Sequence, residues 1–130
     1  MKEPRWIGVQ ALLLLHAETL AEHGGLKGIR DKAALHSAIA RPRNIFVYEA
    51  KADIARLAAA YSFGIVRGHP FNDGNKRVGL LAAGSFLTIN RFEFFATEAD
   101  TVEKFFDLAA GQLTETKLAA WIRRNIKRER

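Results

Sequence analysis

The 130 residues contain no cysteine, so neither a disulfide nor a thiolate metal site can form. Proline is scarce, with only Pro4, Pro42 and Pro70, and most of the chain is therefore free to be helical. No apolar run approaches the roughly 20 residues of a membrane span: Ala11 to Leu15 is soon interrupted by Glu18, Glu22 and His23. The N-terminus lacks the pattern of a signal peptide, and a soluble cytoplasmic protein is the expectation. Acidic residues are nearly missing from the C-terminal end. Residues 117–130 hold six Lys or Arg against Glu129 alone, so +5 of the formal net charge of +6 sits there. A cationic end suits the negative end of a last helix and reads as a solvated face, with a nucleic-acid-binding patch as the alternative.

A 48% hydrophobic composition is ample for one domain, 1–130, with a basic tail from about residue 123. Apolar spacing and stop signals predict an all-α bundle of about six helices, with at most a minor strand or flap. The first runs from Gly8 to His23, stopped by Gly24-Gly25, with His16 read as a partly exposed helical side chain. Asp31 is the expected N-cap of a short helix that Pro42 ends, leaving Arg41 to Lys51 as a loop or extended flap. From Asp53 a strongly helical stretch reaches Gly68. Asn75 to Asn90 is apolar nearly all round and reads as the buried central helix, with Asn90 as its left-handed cap and Gly79 and Gly84 as marks of close packing. After the short aromatic piece Phe92 to Phe95, Thr97 and Thr114 open the last two helices.

The chemistry concentrates in His69-Pro70-Phe71-Asn72-Asp73-Gly74-Asn75-Lys76-Arg77, a loop between two buried helices. Its end opens a helix, where free N–H groups and the positive end of the macrodipole favour an anion, and Gly74 allows close approach. Lys76 and Arg77 strengthen the case for phosphate. The P-loop pattern GxxxxGK[ST] does not fit, since Gly74 comes one position late and Asn-Lys-Arg follows it. No further His or Cys stands at metal-ligand spacing, and no nucleophile stands nearby. One base, one hard oxygen ligand, backbone amides and two cations remain, a set suited to a Mg²⁺-bound phosphate chain whose acceptor brings its own nucleophile.

This loop resembles the Fic-fold signature HPFx[DE]GN[GK]R, and lysine after the asparagine makes it similar to the Doc (death on curing) branch. Residues 16–42 (HAETLAEHGGLKGIRDKAALHSAIARP), the RGH before the motif and FLTINRFEF after it extend the likeness over nearly the whole chain. The resemblance implies His69 as general base, Asp73 as the Mg²⁺ ligand, and Asn72, Gly74 and Asn75 as ATP-phosphate contacts. It further implies Lys76 and Arg77 as charge-neutralising groups, and Arg67 as a contact to phosphate or target. Phe71 is expected to anchor the loop, stiffened by Pro70. The implied function is the toxin of a bacterial toxin–antitoxin pair, moving the γ-phosphate of ATP to a hydroxyl of a host protein, elongation factor Tu, and so blocking translation. Transfer of AMP is the rival chemistry and a non-catalytic nucleic-acid module the rival class. Leu80 stands where the adenylylating branch has a second arginine, and Arg91 where relatives have glycine. The self-inhibitory pattern [ST]xxxE[GN] does not occur, which implies an antitoxin on a separate chain.

Overall fold

The computed structural model describes residues 1–130. Six helices are joined by short connections: α1 Val9–His23, α2 Lys32–Tyr48, α3 Ile54–Gly68, α4 Asn75–Ile89, α5 Glu98–Ala109 and α6 Glu115–Arg124. Two three-residue strands, β1 Phe92–Phe94 and β2 Ile126–Arg128, complete this all-α fold. Four helix starts carry an oxygen side chain that accepts from the N3 amide: Asp31 from Ala34, Asp53 from Arg56, Thr97 from Asp100 and Thr114 from Lys117. Each satisfies one of the donors that a helix start leaves without a partner.

The central helix is α3, not α4. Its residues Ala55 and Leu57 to Ser62 are completely buried, and α2, α4, α5 and α6 all pack against it. Alanine at four of those positions lets its neighbours approach closely. Tyr61 carries the one large polar group on this face, and its hydroxyl is satisfied by the backbone N–H and C=O of Ile7 at 2.9 and 3.1 Å. That pair pins the N-terminal segment over the core and seats Trp6 between Phe46 and Phe86. On α4, a Cβ at Gly79 would lie 2.5 Å from Val66 Cγ2, so glycine is what lets α3 and α4 meet. Gly84 has no such role, because a Cβ there would meet nothing within 4 Å.

Two expectations about local structure are corrected. Pro42 does not end α2, which runs on to Tyr48, so residues 41–48 are helix and not a flap. Proline inside a helix removes one hydrogen bond and disfavours helical geometry at the residue before it. Tertiary contacts outweigh both effects: Pro42, Leu35 and Ala38 are buried, Ala38 abuts Gly64, and Arg41 is tied to Glu115 of α6. The left-handed residue after α4 is Arg91, at φ 64°, while Asn90 stays at φ −102° and bonds back to the Phe86 carbonyl. The Lys and Arg side chains of the basic tail are exposed, as expected of a solvated face, but its backbone is tied down. Ile126–Arg128 pairs antiparallel with β1 in the register Phe92 to Arg128, Glu93 to Lys127 and Phe94 to Ile126. Arg123 reaches Asp53 with two bonds of 2.6 and 2.9 Å, and the Arg128 guanidinium lies 4.8 Å from the Phe92 ring centre.

Two carboxylates tie the last helix to the rest. Asp53 caps α3 and pairs with Arg123, and Glu115 accepts from both Arg41 and Arg56. The hydrogen bond from Arg123 holds Asp53 below the usual carboxylate range despite partial burial. Burial alone would push Glu115 up, but the bonds from Arg41 and Arg56 outweigh it and bring it below its ordinary value. On acidification the unfolded chain therefore takes up protons first. This part of the stability is complete above about pH 5 and is lost as pH falls through the lowered folded-state values. Glu115→Gln is expected to lower the unfolding free energy by about 2 kcal/mol at neutral pH and to flatten its acid limb, both read from urea denaturation. Among the glycines, Gly84→Ala should stabilise by about 0.5–1 kcal/mol and Gly79→Ala should destabilise by about 1–3 kcal/mol, measured the same way.

Candidate active site

The connection between α3 and α4 is six residues long, His69 to Gly74, and its shape is set at both ends. The left-handed residue that ends α3 is His69, at φ 53° and ψ 54°, and not the glycine before it. For a residue with a Cβ this conformation costs about 1–2 kcal/mol, so it persists only because surrounding groups hold it. At the other end Gly74 (φ 80°) is the N-cap of α4. It supplies no side chain, and the first-turn amides of Asn75, Lys76 and Arg77 keep their donors for an anion.

Between these ends the loop is anchored from three sides. Phe71 is fully buried, stabilising by about 1.5–3 kcal/mol, as expected of an inward anchor. The Asn75 side chain bonds twice to the Phe71 backbone, accepting from its N–H at 3.1 Å and donating to its C=O at 2.9 Å. The segment before α2 forms the third anchor. Arg30 and Asp31 N–H groups donate to the Pro70 carbonyl at 2.7 and 3.0 Å, and Asn72 N–H donates to the Gly28 carbonyl at 3.1 Å.

His16 is the site residue that sequence reasoning misplaced. It is buried, its ring stacks on Phe71 at 3.8 Å, and Nε2 stands 3.0 Å from the Asp73 carbonyl oxygen. A signal was present: His16 shares the inner face of α1 with Leu12 and Thr19, where an exposed histidine would not be placed.

The loop and the start of α4 form one wall of an open cleft of about 1040 Å³, at the upper limit of the size range of small-molecule sites. His69, Asp73, Gly74, Asn75, Lys76 and Arg77 all line it, and Leu80 continues the same wall. Val102 and Phe106 of α5 face them from the opposite side, largely exposed, and the Lys76 ammonium lies 5.7 Å from the Phe106 ring centre. Two candidates lie elsewhere. Asn72 turns its side-chain amide to the Lys27 carbonyl at 2.9 Å, and the Arg67 guanidinium packs over Gly111, where a Cβ would lie 3.1 Å from Nη1. Asn75 lines the cleft, but its side chain is committed to Phe71, which leaves its main-chain N–H for a ligand.

The Asp73 carboxylate is exposed and accepts from Leu26 N–H at 3.1 Å and Gly74 N–H at 3.2 Å. No group of three or more His, Cys, Asp or Glu side chains could hold a metal ion by itself. One hard carboxylate beside an anion site does suit a cation that takes its remaining ligands from phosphate oxygens and water, the usual habit of Mg²⁺.

Against known proteins, the sequence profile of the Fic/DOC family matches residues 6–87, from the start of the core through the last turns of α4. The chain is 31% identical over 120 residues to "Protein kinase doc" of Escherichia phage P1, covering 92% of this chain and 94% of that protein. It is 37% identical over 84 residues to "Toxin Doc" of Mycolicibacterium smegmatis, covering 64% of each. The anchored loop, the bracing segment before α2 and all but the last two residues of α4 fall inside the matched span, and the chain belongs to the Fic/DOC family, in its Doc branch.

Proposed function

We propose that this chain is the toxin of a toxin–antitoxin pair and a protein kinase, transferring the γ-phosphate of ATP to a hydroxyl of a host protein, with elongation factor Tu as the target. Blocked translation would be the toxic outcome, and a separate antitoxin chain, folding over the cleft as it binds, would hold it in check. The names of its two relatives, a protein kinase and a toxin, support both halves of the reading.

The arrangement of Lys76 and Leu80 on the cleft wall carries the choice of chemistry. Lys76 places a cation beside the opening turn of α4, where glycine would leave bare backbone, and the apolar Leu80 one turn on offers nothing to clamp a far phosphate. The terminal phosphate is then the one held against the acceptor hydroxyl. His69 takes the proton of that hydroxyl as its oxygen bonds to the γ-phosphorus, the bond from that phosphorus to the β–γ bridging oxygen breaks, and ADP leaves. The α4 amides, Lys76 and Arg77 neutralise charge on the phosphate oxygens. Asp73 would hold Mg²⁺, which when bound supplies further charge neutralisation on the phosphates.

The nucleic-acid reading has less support, because Arg123 and Lys127 are paired with Asp53 and Glu93. Incubation with a bacterial extract should transfer label from γ-labelled ATP to protein and none from α-labelled ATP, and retained α label would return the chain to AMP transfer. His69→Ala should slow labelling by about 10²- to 10⁴-fold with an unchanged thermal unfolding curve. Asp73→Ala should likewise abolish labelling and growth inhibition. A folded His69→Ala protein that labels at the wild-type rate would remove the histidine from the mechanism.

A further inference from the structure

We infer that Arg30 is a positioning residue, which sets the direction of the His69 side chain by holding both peptide planes beside its Cα. The inference rests on the reading of His69 as the base.

The Arg30 guanidinium donates from Nε to the His69 carbonyl at 2.7 Å and from Nη2 to the Gly68 carbonyl at 3.1 Å, and its own N–H reaches the Pro70 carbonyl at 2.7 Å. Three consecutive carbonyls are thus bound by one residue that lies 39 positions away from His69. The Gly68 carbonyl belongs to the peptide plane before the His69 Cα, and the His69 carbonyl to the plane after it. Fixing both oxygens on one planar fork fixes the rotation between those planes, which is the φ and ψ of His69. Those angles are left-handed, a conformation that a histidine leaves when nothing restrains it. A return to negative φ would swing the imidazole away from the start of α4. The cation is also well placed electrically, at the negative end of α3. Nothing in the sequence around Arg30 points to this role, because the partner carbonyls belong to the backbone.

Arg30→Gln removes the fork, and Arg30→Lys keeps the charge without the two-point geometry. With γ-labelled ATP and bacterial extract, Arg30→Gln should lower kcat by roughly 10- to 100-fold while KM for ATP stays within about twofold, since the α4 amides, Lys76 and Arg77 are untouched. Arg30→Lys should fall between the two. In a His69→Ala background, Arg30→Gln should bring no further loss. A crystal structure of Arg30→Gln should show negative φ at residue 69. The inference is overturned by a kcat within about twofold of wild type, by a KM that rises as kcat falls, by a further loss in the His69→Ala background, or by a φ that stays positive. Wild-type protein that labels nothing in the extract would refute the kinase reading instead, and the crystal structure would still decide what Arg30 does to the backbone.

Discussion

The pair of hydrogen bonds between the Asn75 side chain and the Phe71 backbone is the constraint on which the site depends. It closes the loop on itself across four residues and forces Phe71 inward, where His16 covers its ring. With Phe71 buried, His69 lines the cleft at one end of the loop and Asp73 with the opening turn of α4 at the other, while Asn72 turns away to the Lys27 carbonyl. The Asp73 carbonyl then takes His16 from α1, while its carboxylate meets the amide of Leu26. An apolar anchor and one amide side chain thereby turn a loop into a rigid platform. Precise placement of reacting groups needs such a platform.

Backbone strain gathers near helix ends. His69 and Arg91 are the two non-glycine residues with positive φ, and each follows closely on a buried helix. They differ in what holds them. Arg91 follows Asn90, whose side chain bonds to Arg5 and Phe86, and its own carbonyl accepts from Glu129 beside the β1–β2 pair. His69 is held from the segment before α2, on the face where the cleft opens. The first arrangement shapes the outside of the fold, and the second faces the cleft.

The charges divide in a similar way. At the C-terminal end, Arg123 and Lys127 meet carboxylates, and Arg128 lies over an aromatic ring. Arg41 and Arg56 converge on Glu115 and bind α2 and α3 to α6. In the cleft, Lys76 meets the face of Phe106 instead of a carboxylate, an attraction that leaves its charge available to an anion.

Helix positions were legible from the sequence because their causes are local: apolar spacing, Asp and Thr caps, and glycine stops act within a turn or two. The site loop was legible for the same reason, its chemistry being contiguous from His69 to Arg77. Pro42 misled because its penalty is local whereas the burial and ion pairing that outweigh it come from α3 and α6. The central place of α3 over α4 was likewise hidden, since two apolar helices differ only in how many neighbours surround them. His16, Leu26 and Arg30 lie 39 to 57 residues from the loop groups they bond, and each bonds to backbone or to a single carboxylate, so the sequence showed none of these pairings, although helical spacing placed His16 on the inner face of α1. The sequence by itself determined which residues could do the chemistry and which helices would carry them. Tertiary structure alone decided that His69 would line the cleft, because the Arg30 side chain that bonds its carbonyl comes from 39 positions away and only folding brings it there.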